Sequence, residues 1–276
     1  MRKRKVGLAL GGGAARGLAH IGVLEVLEKE GIPIDMIAGT SAGAAVGALY
    51  AQGKSVKEIK EMATQWDWKR RVQLIDLALP KTGIIAGKKI KELLKQIMGE
   101  VRFSDLKLPL ACVATDIITG EEVVINQGSV LEAVRASTSV PIIFAVVKWK
   151  GRYLVDGGLV DPVPVRVLKS MGADFIIAVN VMPRLTGACE QVYLEEPEPG
   201  KSGTVKEPNI FSIAMKVIDI YGSHLVGSCL NGADVIIEPR LAGIGPGDFR
   251  RAKQCILEGE LAAIDSVLEI KRRLAV

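Results

Sequence analysis

The stretch Gly39-Thr40-Ser41-Ala42-Gly43 sets a hydroxyl between two glycines, where an apolar run meets an alanine-rich one. That spacing suits a serine nucleophile on a strand-to-helix turn, which exposes the hydroxyl beside the free N–H groups of a helix start. Gly39 and Gly43 allow the chain to turn sharply and its neighbours to approach closely. The same five residues also suit a packing turn in which Ser41 merely caps a helix. A serine hydroxyl attacks a carbonyl only when a base takes its proton and fixed dipoles receive the developing charge. Both are therefore sought in the rest of the chain.

The dipoles have a candidate in Gly11-Gly12-Gly13-Ala14-Ala15-Arg16-Gly17, which follows the first apolar run and opens a helix. Ligand sites of parallel sheets gather at the carboxyl ends of strands, so this loop and the serine turn are expected on one rim. The amides of Gly12 and Gly13 are the expected oxyanion donors, and Arg16 holds the loop or adds positive potential. A rival reading is a non-catalytic nucleotide- or phosphate-binding module, with Asp35 at a distance suited to a ribose. Against it, Arg16 stands where that fingerprint has its third glycine, and no Gly-Lys-Ser/Thr follows.

For the base, His20 lies among Leu18, Ile21 and Leu24 and reads as a structural residue, while His224 falls on a late helix beside Tyr221. Asp156 closes a short apolar run and precedes Gly157-Gly158, which leaves its carboxylate at a strand end. Asp-Gly is also the commonest turn signal, and Asp116 is a competing carboxylate.

The elements that must position these groups follow from hydrophobic periodicity. Strands are expected at Lys5–Leu10, Ile34–Ala38, Leu110–Ala114, Glu122–Asn126, Tyr153–Val155, Phe175–Asn180 and Asp234–Glu238. Helices are expected after the glycine loop and at Ala42–Gln52, Pro162–Met171, Ile210–Leu225 and Phe249–Leu274. Alternating strands and helices imply an α/β fold: a mainly parallel central sheet between helical layers, in one domain over 1–276. The Pro-, Gly- and charge-rich stretch 195–208 reads as a loop.

Composition narrows the function. Arg2, Lys3, Arg4 and Lys5 account for four of the net charge of +5, so the remainder is nearly balanced and no nucleic-acid groove is indicated. The apolar run Val6–Leu10 is short of the ~7–15 residues of a secretory core, and no run reaches the ~18 of a membrane span. Cys112, Cys189, Cys229 and Cys255 are unpaired in spacing and read as free thiols of a reducing cytoplasm. With two histidines and no zinc motif, no metal site and no cofactor are expected.

Taken in order, the GGGAARG loop, the GTSAG turn and the DGG triplet resemble the patatin-like phospholipase family. The likeness extends to Val113-Ala114-Thr115-Asp116, to Arg135-Ala136-Ser137-Thr138-Ser139-Val140-Pro141 and to DGGLVDPVPV, over most of residues 5–180. The resemblance implies a lipid acyl hydrolase working by a Ser–Asp dyad without histidine or metal. Ser41 would be the nucleophile, Asp156 the base, and Gly11, Gly12, Gly13 and Arg16 the oxyanion loop. It implies a lipid or acyl-ester substrate. Trp beside Lys and Arg in Trp66-Asp67-Trp68-Lys69-Arg70-Arg71 suits the mouth or lid of an acyl groove in transient contact with a membrane surface, and equally a partly buried helix with a charged outer edge.

Overall fold

The first strand, β1 (Val6–Leu10), is apolar and buried on both faces, as a central strand of a parallel sheet must be. The computed structural model describes residues 4–65, 87–182 and 210–275. The expected stretches Trp66–Arg71 and 195–208, and Cys189, lie outside the described residues. After β1 the chain passes through the glycine loop into α1 (Ala19–Lys29), then β2 (Met36–Thr40) and α2 (Ala42–Ala51). Helices α3 (Val56–Gln65) and α4 (Gly87–Met98) precede β3 (Leu110–Asp116) and β4 (Glu122–Ile125). Helix α5 (Val130–Ser137), β5 (Val147–Trp149), β6 (Arg152–Asp156), α6 (Val165–Ser170) and β7 (Phe175–Val179) follow. The chain continues through α7 (Ile210–Cys229), β8 (Val235–Ile237) and α8 (Ala252–Leu274).

The described strands form one eight-stranded sheet in the order β5-β6-β3-β2-β1-β7-β8, with β4 paired to β3. Strands β1, β2, β3, β7 and β8 are mutually parallel, whereas β4 and β6 run antiparallel to β3 and β5 antiparallel to β6. One face packs on α1, α2 and α8 through Leu8, Leu10, Ile37, Phe175 and Ile177. The other packs on α6 and the end of α7 through Ala9, Ala38, Val113, Ile176 and Ala178. The result is the expected three-layer α/β/α arrangement.

One feature of the topology places the site. Strand β4 occupies one edge of β3 along Cys112–Thr115. Strands β2 and β6 must therefore share the other edge, and their registers divide it: β2 pairs up to Thr40 opposite Val113, and β6 pairs from Asp156 opposite Ala114. The two strands run head to head in one lane, so their carboxyl ends meet. Ser41 and Asp156 are expected at strand ends on one rim. They do adjoin, but because β6 descends toward β2 and not because it runs beside it.

Candidate active site

Ser41 follows β2 immediately and holds φ 53 and ψ −119, outside the regions ordinary L-residues prefer. This is the sharp strand-to-helix turn anticipated from its glycines. The position a Cβ would take at Gly43 lies 2.1 Å from the Leu10 carbonyl oxygen, and at Gly39 2.6 Å from the backbone nitrogen of Ala44. A side chain at either would push α2 off the sheet and Ser41 with it. The Ser41 amide is anchored by the Ser137 hydroxyl, which accepts it at 2.8 Å from the end of α5.

The Ser41 hydroxyl donates to Asp156 Oδ2 at 2.5 Å, and both residues are buried. The other oxygen, Oδ1, accepts the Gly158 amide at 2.8 Å, which fixes the carboxylate plane. The Asp156 backbone is clamped from two sides: its amide donates to Ser139 O at 2.9 Å and its carbonyl accepts the Thr115 hydroxyl at 2.8 Å. Burial pushes the carboxyl up to about 6, against the hydrogen bonds from Ser41 and Gly158, which pull it down. A carboxylate so desolvated is a stronger base than an exposed aspartate.

The glycine loop lies over the hydroxyl, and a Cβ at Gly12 would come 3.4 Å from that of Ser41. Its amides differ from expectation. Gly11 N–H donates to Val179 O at 3.0 Å and Gly12 N–H to Pro162 O at 2.9 Å, so neither is open to an oxyanion. The reason is the sheet itself: Gly11 continues the pairing of β1 with β7, and the loop after Asp156 brings Pro162 under Gly12. Among the described residues the amides of Gly13 and Ala14 donate to nothing, and Ala14 holds φ 50. Arg16 is 1% exposed and pairs with Asp219 of α7, with its Nε toward Gly13 O at 3.5 Å. It holds the loop and does not point into the site.

The other candidates are placed elsewhere. His20 is fully buried, its Nε2 hydrogen-bonded with Gly11 O at 2.7 Å, and burial pushes it down to about 4. His224 is exposed on α7. Asp116 accepts Arg152 at 3.3 Å and the Ile118 amide at 3.0 Å. Asp35 precedes β2 and accepts Val6 N–H at 2.7 Å, at the amino edge of the sheet, a strand's length from the glycine loop. A ribose partner there would sit at the wrong end. Among the described residues no group of three or more His, Cys, Asp or Glu is arranged to hold a metal ion.

Three contributors were not singled out by sequence reasoning. Ser137 and Ser139, inside the quoted Arg135–Pro141 run, each hold one backbone of the Ser–Asp pair; only their place in that run signalled them. Asp161 is 1% exposed, and neither carboxylate oxygen has a hydrogen-bond partner among the described residues. Burial and the nearby Glu122 push it up to about 7. Its backbone oxygen accepts the Thr40 hydroxyl at 2.8 Å, one residue before Ser41.

Residues 8–169 match the family described as patatin-like phospholipase, more than half of the chain. The chain belongs to the patatin-like phospholipase family. It is 38% identical over 177 residues to an uncharacterized NTE family protein of Mycobacterium tuberculosis, covering 64% of this chain and 49% of that one. It is 35% identical over 181 residues to the neuropathy target esterase of Drosophila melanogaster, 64% of this chain and 13% of that one. A lysophospholipase of Debaryomyces hansenii is 37% identical over 186 residues, 66% of this chain and 12% of that one. The chain thus spans half or less of these relatives. The fold is similar to that of VipD from Legionella pneumophila, with a TM-score of 0.55 at 14% identity over 97% of this chain and 67% of that one.

Proposed function

We infer that this patatin-like protein is a serine acyl hydrolase that cleaves carboxylic ester bonds of lipids. The observation that carries the reading is the buried hydrogen bond from Ser41 Oγ to Asp156 Oδ2, at 2.5 Å. In the proposed first half-reaction Asp156 accepts the hydroxyl proton as Ser41 Oγ attacks the ester carbonyl. The tetrahedral oxyanion is received by the amides of Gly13 and Ala14 and by the first-turn amides of α2, whose helix dipole adds positive potential. Collapse expels the alcohol, which takes the proton from Asp156 and leaves an acyl ester on Ser41. Water then gives a proton to Asp156 as it attacks that ester, and collapse releases the fatty acid while Asp156 returns the proton to Ser41 Oγ.

The lipid class is supported by family membership and by relatives named phospholipase, lysophospholipase and esterase. Against the nucleotide-cradle reading, the Gly11 and Gly12 amides are engaged and Asp35 is at the far edge of the sheet. The test is labelling with a fluorophosphonate probe and turnover of p-nitrophenyl esters of rising chain length. Wild type labels and turns over, and Ser41→Ala does neither. A folded wild-type chain inert to both would end the proposal.

A further inference from the structure

Four aspartates are buried among the described residues. Asp116 is paired with Arg152, Asp156 with the Ser41 hydroxyl and Asp219 with Arg16. Asp161 alone has no hydrogen-bond donor on either oxygen among the described residues. Three elements set titratable or charged groups toward it: Glu122 opens β4, Arg166 lies on α6 and Cys229 closes α7. The Arg166 guanidinium donates to Glu122 Oε2 at 3.2 Å, so the facing cation serves the other carboxylate. Burial and the nearby Asp161 push the Cys229 thiol up to about 11, which leaves it neutral and a weak donor. A protonated Asp161 needs one acceptor, which Glu122 can supply. An ionised one needs strong donors, and none faces it among the described residues.

The main chain of the same residue, in contrast, ties the site together. Asp161 O accepts the Thr40 hydroxyl at 2.8 Å, next to Ser41, and Asp161 N–H donates to Gly157 O at 2.9 Å, next to Asp156. The following carbonyl, at Pro162, accepts Gly12 N–H at 2.9 Å, and a Cβ at Gly11 would lie 3.1 Å from Val163 Cγ2. Two consecutive residues thus hold the Ser41 turn, the turn after Asp156 and the glycine loop in one register. A charge on the Asp161 side chain must reach water or a cation, and the backbone that moves with it is the backbone that carries these bonds.

We propose that Asp161 is a positioning residue: protonated, it seats residues 157–162 and with them Ser41 and the glycine loop, and on ionisation it releases them, so that hydrolysis has an alkaline limit set outside the Ser–Asp pair. The inference rests on the acyl-hydrolase reading for its catalytic readout. Burial and Glu122 lift the carboxyl to about 7, which places the change near neutral pH. The test measures kcat and KM for p-nitrophenyl butyrate across the pH range in wild type, Asp161→Asn and Glu122→Gln. Hydrogen exchange of the peptides holding Gly12 and Asp161, corrected for intrinsic rate, is followed beside it. Wild-type kcat is expected to fall about tenfold or more between about pH 7 and 9 at nearly constant KM, while exchange in both peptides quickens. Asp161→Asn keeps a neutral group that can donate to Glu122, so it should lose the falling limb and the quickened exchange. Glu122→Gln removes the charge that helps lift Asp161 and should move the limb to lower pH. A wild-type kcat flat to high pH, a limb in KM alone, or the same limb in Asp161→Asn overturns the proposal. If Asp161→Asn does not fold, Glu122→Gln decides, and a limb that stays in place overturns it. A chain inert to esters at every pH, yet with exchange that depends on Asp161, would end the hydrolase reading and leave the proton-controlled seating. Turnover with no alkaline limb would do the reverse.

Discussion

The two ends of the central sheet use the same residue type in opposite ways. At the amino edge, Asp35 accepts Val6 N–H at 2.7 Å, Asp174 accepts Lys5 N–H at 2.9 Å and Asp234 accepts Ile176 N–H at 2.7 Å. Each of these aspartates precedes one strand and satisfies an amide at the start of its neighbour, and their work is structural. At the carboxyl edge Asp156 satisfies one amide with Oδ1 and offers Oδ2 to a hydroxyl. Asp156 is suited to the proposed role of base because one lone-pair set is left for something other than backbone, on a buried carboxylate.

The contrast is open to attack from both ends. The largest effect is expected from Asp156→Asn, which should lower kcat about a thousandfold or more against a soluble ester. It should also raise stability above neutral pH. A carboxyl lifted from 3.8 to about 6 makes the folded state bind more protons than the unfolded one between those values. Stability from this group is complete below that window and lost as pH climbs through it; asparagine has no charge to bury. A thermal melt at pH 8 that falls on this substitution would put Asp156 with the structural aspartates.

Next in size is Arg16→Ala, which strands Asp219 without its partner and is expected to cost about 3 kcal/mol in denaturant unfolding. Asp161 supplies an intermediate case, an edge aspartate with neither backbone nor hydroxyl to serve. Lifted from 3.8 to about 7, it removes stability as pH rises across that interval. Asp161→Asn should therefore raise Tm at pH 8 while leaving it nearly unchanged at pH 4. Activity of the wild type should fall tenfold per unit below about pH 6, as Asp156 takes up its proton. The smallest effect is expected from Asp35→Asn: about 1 kcal/mol of stability and no change in kcat/KM. A kcat loss there would erase the distinction between the two edges.

Much of this was legible in the residues. The strands β1, β2, β3 and β7 are uninterrupted apolar runs, and small residues at 39, 43 and 44 signal a helix packed tightly on its strand. Strand ends and glycines mark Ser41 and Asp156 as candidates, and the family resemblance joins them as a pair. The direction of β6 was not legible: its five residues pair antiparallel with β3, and five residues do not record which way they run. Nor were the closed amides of Gly11 and Gly12, because the carbonyls that close them, at Val179 and Pro162, are more than a hundred positions away and any residue type supplies a carbonyl. The same holds for Ser139, which acts on Asp156 through its backbone oxygen.

The left-handed torsion at Ser41 sets the protein's fitness to fold against its fitness to react. Glycine would occupy that corner without steric conflict, and Ser41→Gly is expected to make the fold more stable by about 1 kcal/mol while ending turnover. A search for hardier variants that selects on heat alone would therefore drift toward discarding the oxygen atom on which the proposed chemistry turns.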